Sequence, residues 1–106
     1  MFPCNADIVL YARQVAEDRE VNLTPMSCAF YVKLFRLVQQ EGEKSPDKNM
    51  HQIQYSYSQL AKKLHFSYKV VCNSMQLFLK SGLIEREAVS SKVYITYMDI
   101  SVLDEV

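Results

Sequence analysis

The run Ser58-Gln-Leu-Ala-Lys-Lys-Leu-His-Phe-Ser-Tyr-Lys-Val-Val-Cys-Asn-Ser-Met-Gln-Leu-Phe-Leu-Lys-Ser-Gly-Leu-Ile84 sets the architecture of this chain. Leu60, Ala61 and Leu64 recur at helical spacing and share one face. His65-Phe66 interrupts them, and Phe66 is an apolar plug for the angle between two helices. Ser67 is an N-cap, its hydroxyl available to the free N–H groups of the next turn. From there Val71, Ser74, Met75 and Phe78 recur at intervals of three and four, so they point inward from a second helix. Gly82 stands where a helix C-terminus takes a left-handed residue. Leu83-Ile84 then begins a strand. The order is helix, tight turn, helix over about 68–81, then a hairpin over about 83–98.

The hairpin strands fall at Leu83–Val89 and Lys92–Met98, with Ser90-Ser91 at the tip and Tyr94-Ile-Thr-Tyr97 rich in strand formers. Upstream, Ile53-Gln-Tyr55-Ser-Tyr57 alternates as a short strand leading into the first helix, which Ser56 or Ser58 caps. Residues 42–50 carry turn formers and read as a polar loop. Thr24-Pro25 starts an earlier helix, Thr as N-cap and Pro at the first helical position. That helix runs to about Gln40, closed by Gly42, and is apolar most of the way round: Met26, Ala29, Phe30, Val32, Leu34, Phe35, Leu37 and Val38. Residues 6–20 form a further helix with Asn5 as its N-cap and Ile8, Tyr11 or Ala12, and Val15 on its apolar side.

The pattern from Ser58 to Ile84, with fifteen residues from Ser67 to Gly82 and Leu-Ile following, resembles the winged helix-turn-helix superfamily. It is similar to modules at the front of bacterial plasmid and phage replication initiators and replisome organisers, and to many bacterial transcription regulators. Leu23-Thr-Pro with Phe30-Tyr-Val-Lys-Leu-Phe-Arg-Leu37 looks like the first core helix of such domains. The resemblance implies a mainly α fold with a small β-hairpin, organised as a single domain over residues 1–106. Residues 1–22 are then an N-terminal helical extension and residues 23–98 the winged core. It also implies sequence-directed binding of double-stranded DNA, in replication initiation or transcriptional control. The second helix would enter the major groove and the wing would touch backbone or minor groove.

Charge distribution agrees with that implication. The whole chain of 106 residues has a formal net charge of zero. Residues 1–43, however, balance to −2 and residues 93–106 to −3, whereas residues 44–92 carry Lys44, Lys48, Lys62, Lys63, Lys69, Lys80, Arg86 and Lys92 against three acids. A local positive field guides DNA even when the whole chain is neutral. Tyr68, Lys69, Cys72, Asn73 and Gln76 share the outward face of the second helix. Asn and Gln match adenine edges, and Lys matches guanine or phosphate. Ser67 at its start and Lys80 near its end complete that face. Tyr55, Tyr57, Lys62 and Lys63 belong near the preceding helix, which in this geometry crosses the phosphate backbone; core packing is the alternative for either Tyr. Arg86 and Lys92 lie on the wing, within reach of a phosphate or paired with Glu85 or Glu87. A plain solvated face would be equally polar.

Other function classes find little support. Cys4, Cys28 and Cys72 have no CxxC pair, and His51 and His65 stand apart from them, so no metal is expected. Two glycines provide no phosphate loop, and no nucleophile signature or paired carboxylates stand out; neither an enzyme nor a cofactor is expected. An apolar content of 49% excludes disorder, and no run approaches the ~18 apolar residues of a membrane span. The N-terminus lacks the pattern of a secretory signal, so a cytoplasmic protein with free thiols is expected. Val70, Leu77 and Leu79 are apolar on a helix that usually carries more charge in such domains. They support the alternative of a winged-helix module that docks a protein. A homodimer through the N-terminal helices is expected from Ile8, Val9, Tyr11 and Val15; in the alternative, residues 6–20 cover the apolar helix within one chain.

Overall fold

The computed structural model describes residues 4–101. Its elements are α1 (Asn5–Asp18), α2 (Pro25–Glu41), β1 (Glu43–Lys44), β2 (His51–Ser56), α3 (Tyr57–Leu64), α4 (Tyr68–Ser81), β3 (Ile84–Ala88) and β4 (Val93–Met98). α3, the turn at His65-Phe66 and α4 form the helix-turn-helix, and β3 and β4 form the wing beside α4. This is a mainly α, winged helix-turn-helix architecture. The extremes of the expected 1–106 domain, residues 1–3 and 102–106, lie outside the described residues.

Local chemistry explains most boundaries. Thr24 caps α2 by accepting from Ser27 N at 3.0 Å, with Pro25 at the first helical position. Ser56 and Gln59 close a capping box on α3: Ser56 Oγ accepts from Gln59 N at 3.1 Å, and Gln59 Oε1 accepts from Ser56 N at 2.8 Å. Ser67 Oγ accepts from Val70 N at the start of α4. Gly82 ends α4 with φ +78°, and a Cβ there would press on the Arg19 guanidinium at 3.2–3.5 Å. His65 ends α3 in the same left-handed region at φ 62°.

Three expectations shift. α1 begins one residue earlier, with Cys4 rather than Asn5 as its N-cap, because Asp7 at the third helical position reaches back to Cys4 N and Sγ. Asn5 instead accepts from Arg36 Nη2 at 3.1 Å. Tyr57 is the first residue of α3, not the last of the strand. The supposed loop at 42–50 contains β1, and the wing is half of a four-stranded antiparallel sheet, order β1-β2-β4-β3. β4 is therefore an inner strand, paired with β2 from His51↔Met98 to Ser56↔Val93.

Opposed residues share a sheet face. Ile53, Ile84, Thr96 and Met98 turn to the helices and are buried. The reverse face is polar: Lys48 Nζ pairs with Glu85 at 2.9 Å and lies 5.1 Å from the Tyr97 ring, whose hydroxyl donates to Glu87 at 2.7 Å. The core runs from Ile8 and Ala12 of α1 through Phe30, Tyr31, Leu34 and Phe35 of α2 to Leu60, Val71, Met75 and Phe78. Phe66 plugs the inter-helix angle, its ring edge-on to Phe30 at 5.3 Å. Leu77 and Leu79 pack against this core, which accounts for their apolar character.

Tyr31 is wholly buried, and among the described residues its hydroxyl has no hydrogen-bond partner. Burial first, then the fields of Tyr11 and Asp99, push its phenol far above the ordinary value of 10.0. The folded chain thus holds this proton more tightly than the unfolded one. Its contribution to stability is intact below about pH 10 and declines as the pH rises beyond it. Tyr31→Phe removes the unpaired hydroxyl and keeps the ring; chemical denaturation at pH 7 should show it about 1 kcal/mol more stable. The same variant should lose less stability between about pH 10 and 11 than the parent.

Candidate nucleic-acid interface

The first turn of α3 presents Tyr57 toward the wing. Its ring lies 5.1 Å from that of Tyr94 on β4, at 38°. Arg86 on β3 seals the pair: its guanidinium carbon sits 4.5 Å from the Tyr94 centroid, and Nη1 donates to the Tyr57 hydroxyl at 2.6 Å. Strand alternation puts Arg86 on the opposite face from Glu85 and Glu87, so neither of those carboxylates pairs with it. Burial raises the Tyr57 phenol pKa against the lowering effect of Arg86, so this hydroxyl stays protonated at neutral pH and accepts from the guanidinium.

Beside this cluster opens a cleft of about 490 Å³ between the N-termini of α3 and α4 and the wing tip. Ser58 and Gln59 form one edge, Tyr68 and Cys72 the α4 wall, and Ser91, Lys92 and Tyr94 the wing side. Among the described residues, no carboxylate lines it. Tyr68 is 57% exposed, an unusual setting for so large a ring. A hydrogen bond with the Cys72 side chain raises its phenol pKa.

Lys69, Asn73, Gln76 and Lys80 lie on one outward stripe of α4 that continues from the cleft wall. Lys80 lies in the last turn, roughly 18 Å of helix from Tyr68 at 1.5 Å per residue. Ser67 sits at the α4 N-cap, its side-chain oxygen accepting from Val70 N. Lys62 is exposed one turn after Ser58 and Gln59. Lys63 is placed differently: Nζ pairs with Glu41 at 3.0 Å and lies 5.7 Å from the Tyr55 ring. Tyr55 also donates its hydroxyl to Glu41, and these two partners hold the Glu41 carboxyl below its usual range, Tyr55 foremost. Lys63 thus lines a separate groove with Lys33, Arg36 and Leu37.

The structure therefore gathers Tyr57, Tyr68 and Lys92 around one cleft, with Arg86 behind it and Ser67, Lys69, Asn73 and Gln76 on or beside the same helix wall. Lys63 and Tyr55 belong to the other side of α3, and Lys80 to the far end of α4. Tyr94, Ser58, Gln59 and Ser91 were not among the residues expected at the site. Alternation along Val93–Met98 puts Tyr94 on the Thr96 and Met98 face, a usable signal. Its meeting with Tyr57 needed the knowledge that Tyr57 opens a helix.

No family model and no curated protein matches the chain. A solved structure described as the N-terminal domain of a DNA binding protein superimposes with a TM-score of 0.62, covering 92% of this chain and 71% of that one. The two share 16% of their residues, so the likeness is one of fold. No helix among the described residues is long and apolar enough to cross a membrane.

Proposed function

We propose that this domain binds double-stranded DNA, with α4 in the major groove and the wing against the flanking backbone. The observation that carries this reading is the alignment of Lys69, Asn73 and Gln76 beside a cleft that, among the described residues, no carboxylate lines and whose far rim carries Lys92. Amide side chains and lysines on one helix supply base-edge chemistry, and the wing supplies a phosphate contact. A fold-mate described as a DNA binding protein supports the same direction. Sequence-directed binding in replication initiation or transcriptional control of a bacterium or its mobile elements is the role that the sequence resemblance adds, and a cytoplasmic location is part of the same proposal. The domain acts by binding and not as an enzyme.

Affinity for a duplex should fall steeply with salt, because each neutralised phosphate releases counterions. Four neutralised phosphates give a slope of about −3.6 in log K against log salt. Fluorescence anisotropy across a salt series measures it, and selection from a random duplex pool should return a consensus. Absence of binding at low salt would overturn the reading.

Leu10 and Met26, 57% and 52% exposed, favour a second use of the N-terminal helices as a protein contact, including a homodimer. Ile8 is buried within its own chain and Val9, Tyr11 and Val15 are half-buried, so less of the apolar stripe is open to a partner than the sequence suggests. Light scattering at micromolar concentration should give twice 12.3 kDa if the dimer forms; a constant monomer mass on concentration would remove it. Protein docking without DNA binding should be nearly insensitive to salt.

A further inference from the structure

We infer that the cleft between α4 and the wing is a site for a single unstacked nucleotide, an inference that rests on the proposed DNA binding and extends it. Its walls are aromatic where a base needs them. Tyr57 and Tyr94 are held 5.1 Å apart by Arg86, which packs on Tyr94 and donates to the Tyr57 hydroxyl, so that wall is set before any ligand arrives. Tyr68 stands on the opposing α4 wall with more than half its surface in solvent. The rim is hydroxyl, amide and ammonium: Ser58, Gln59, Ser91 and Lys92. Among the described residues Lys92 makes no ion pair, and no carboxylate faces the cleft. A ligand matching these walls is flat and aromatic at one end and anionic at the other, as a nucleotide is. The volume of about 490 Å³ lies in the range of small-ligand sites. Reading the edge of a paired base uses the Lys69–Asn73–Gln76 stripe and leaves this cleft unfilled; an unpaired base can turn into it and stack.

The test compares three probes by anisotropy and nuclear magnetic resonance: a duplex of about 20 base pairs, long enough to span two turns of B-DNA, the same duplex with one unpaired thymine, and thymidine 5′-monophosphate. The unpaired thymine should tighten binding about tenfold over the intact duplex. Tyr68→Ala should abolish that gain and Tyr68→Phe keep it, since the ring and not the hydroxyl stacks; both variants should melt with the parent. The monophosphate should shift the resonances of Tyr68 and Lys92. Loss of the unpaired thymine's gain at micromolar monophosphate identifies a free nucleotide as the ligand, and loss only at millimolar concentration identifies one carried in a strand. Equal affinity for both duplexes, or equal losses for both in Tyr68→Ala, overturns the nucleotide site and leaves duplex binding standing. Failure of both duplexes to bind, with the monophosphate still shifting Tyr68 and Lys92, overturns the DNA reading and leaves the site. Loss of all three responses overturns both.

Discussion

Phe78→Ala is expected to cost about 3–5 kcal/mol of folding stability, the range for deleting a buried aromatic side chain. The ring is wholly buried and central to the packing of α4 on α2. It stacks on Phe30 at 6.1 Å and meets Tyr31 edge-on at 5.2 Å, and it sits on the α4 face that also carries Val71 and Met75. Truncation removes the transfer free energy of the ring and leaves a cavity lined by side chains from α2. Those side chains cannot collapse into it, since Tyr31 and Phe35 are themselves packed ring against ring at 6.3 Å. A domain near 100 residues has roughly 5–15 kcal/mol in all, so the variant should keep only a small margin. Urea denaturation should show a lower midpoint with an unchanged slope, which marks reduced stability and not reduced compactness. A change below about 1 kcal/mol would mean that α4 does not bear on α2 through this ring.

Lys69→Glu should lower duplex affinity by about tenfold or more, with the melting temperature nearly unchanged. Lys69 is exposed in the first turn of α4, and reversing its charge removes one attraction and adds one repulsion at the point proposed to meet the major groove. The slope of log K against log salt should shrink by about 0.9 for each phosphate that the variant no longer neutralises. Asn73→Ala, one turn along, should behave differently. An amide that reads a base edge contributes to discrimination, so its removal should relax the selected consensus at one position by about 1–3 kcal/mol and leave the salt slope alone. Neither side chain takes part in the core, so stability should change by less than about 0.5 kcal/mol in each variant. Unchanged affinity in both would leave α4 without its proposed role.

The Lys63 environment shows why two neighbours of the same type part company. Both Lys62 and Lys63 carry the charge that a backbone contact needs. One residue on a helix is a turn of about 100°, enough to put Lys63 over Glu41 and Tyr55 while Lys62 remains in solvent. Nothing in the sequence between them marks that difference, because Glu41 belongs to α2 and Tyr55 to β2. Arg86 is a similar case. Its charge suggests a phosphate or a neighbouring glutamate, and its position in β3 turns it to the tyrosines and away from both glutamates.

The four helices, most of their caps and the wing are legible in the chain before it folds. Thr24-Pro25, Ser56 with Gln59, Ser67 and Gly82 act within a turn of where they stand, and the apolar periods of α3 and α4 are complete within each helix. The inward face of α4 and its outward stripe follow from the same period, so the candidate recognition surface is legible as well. Packing in three dimensions settles the rest. It joins β1 and β2 to the wing, brings Tyr57 and Arg86, 29 residues apart, into one hydrogen bond, and lets Tyr94 close the cleft beside Tyr68. Strand pairing leaves no periodic mark in either strand on which partner it will choose. Two short segments meet because α2, α3 and α4 enclose Phe30, Tyr31 and Phe78 and leave one sheet face to cover. The site is assembled from ends of elements whose relative positions that core dictates.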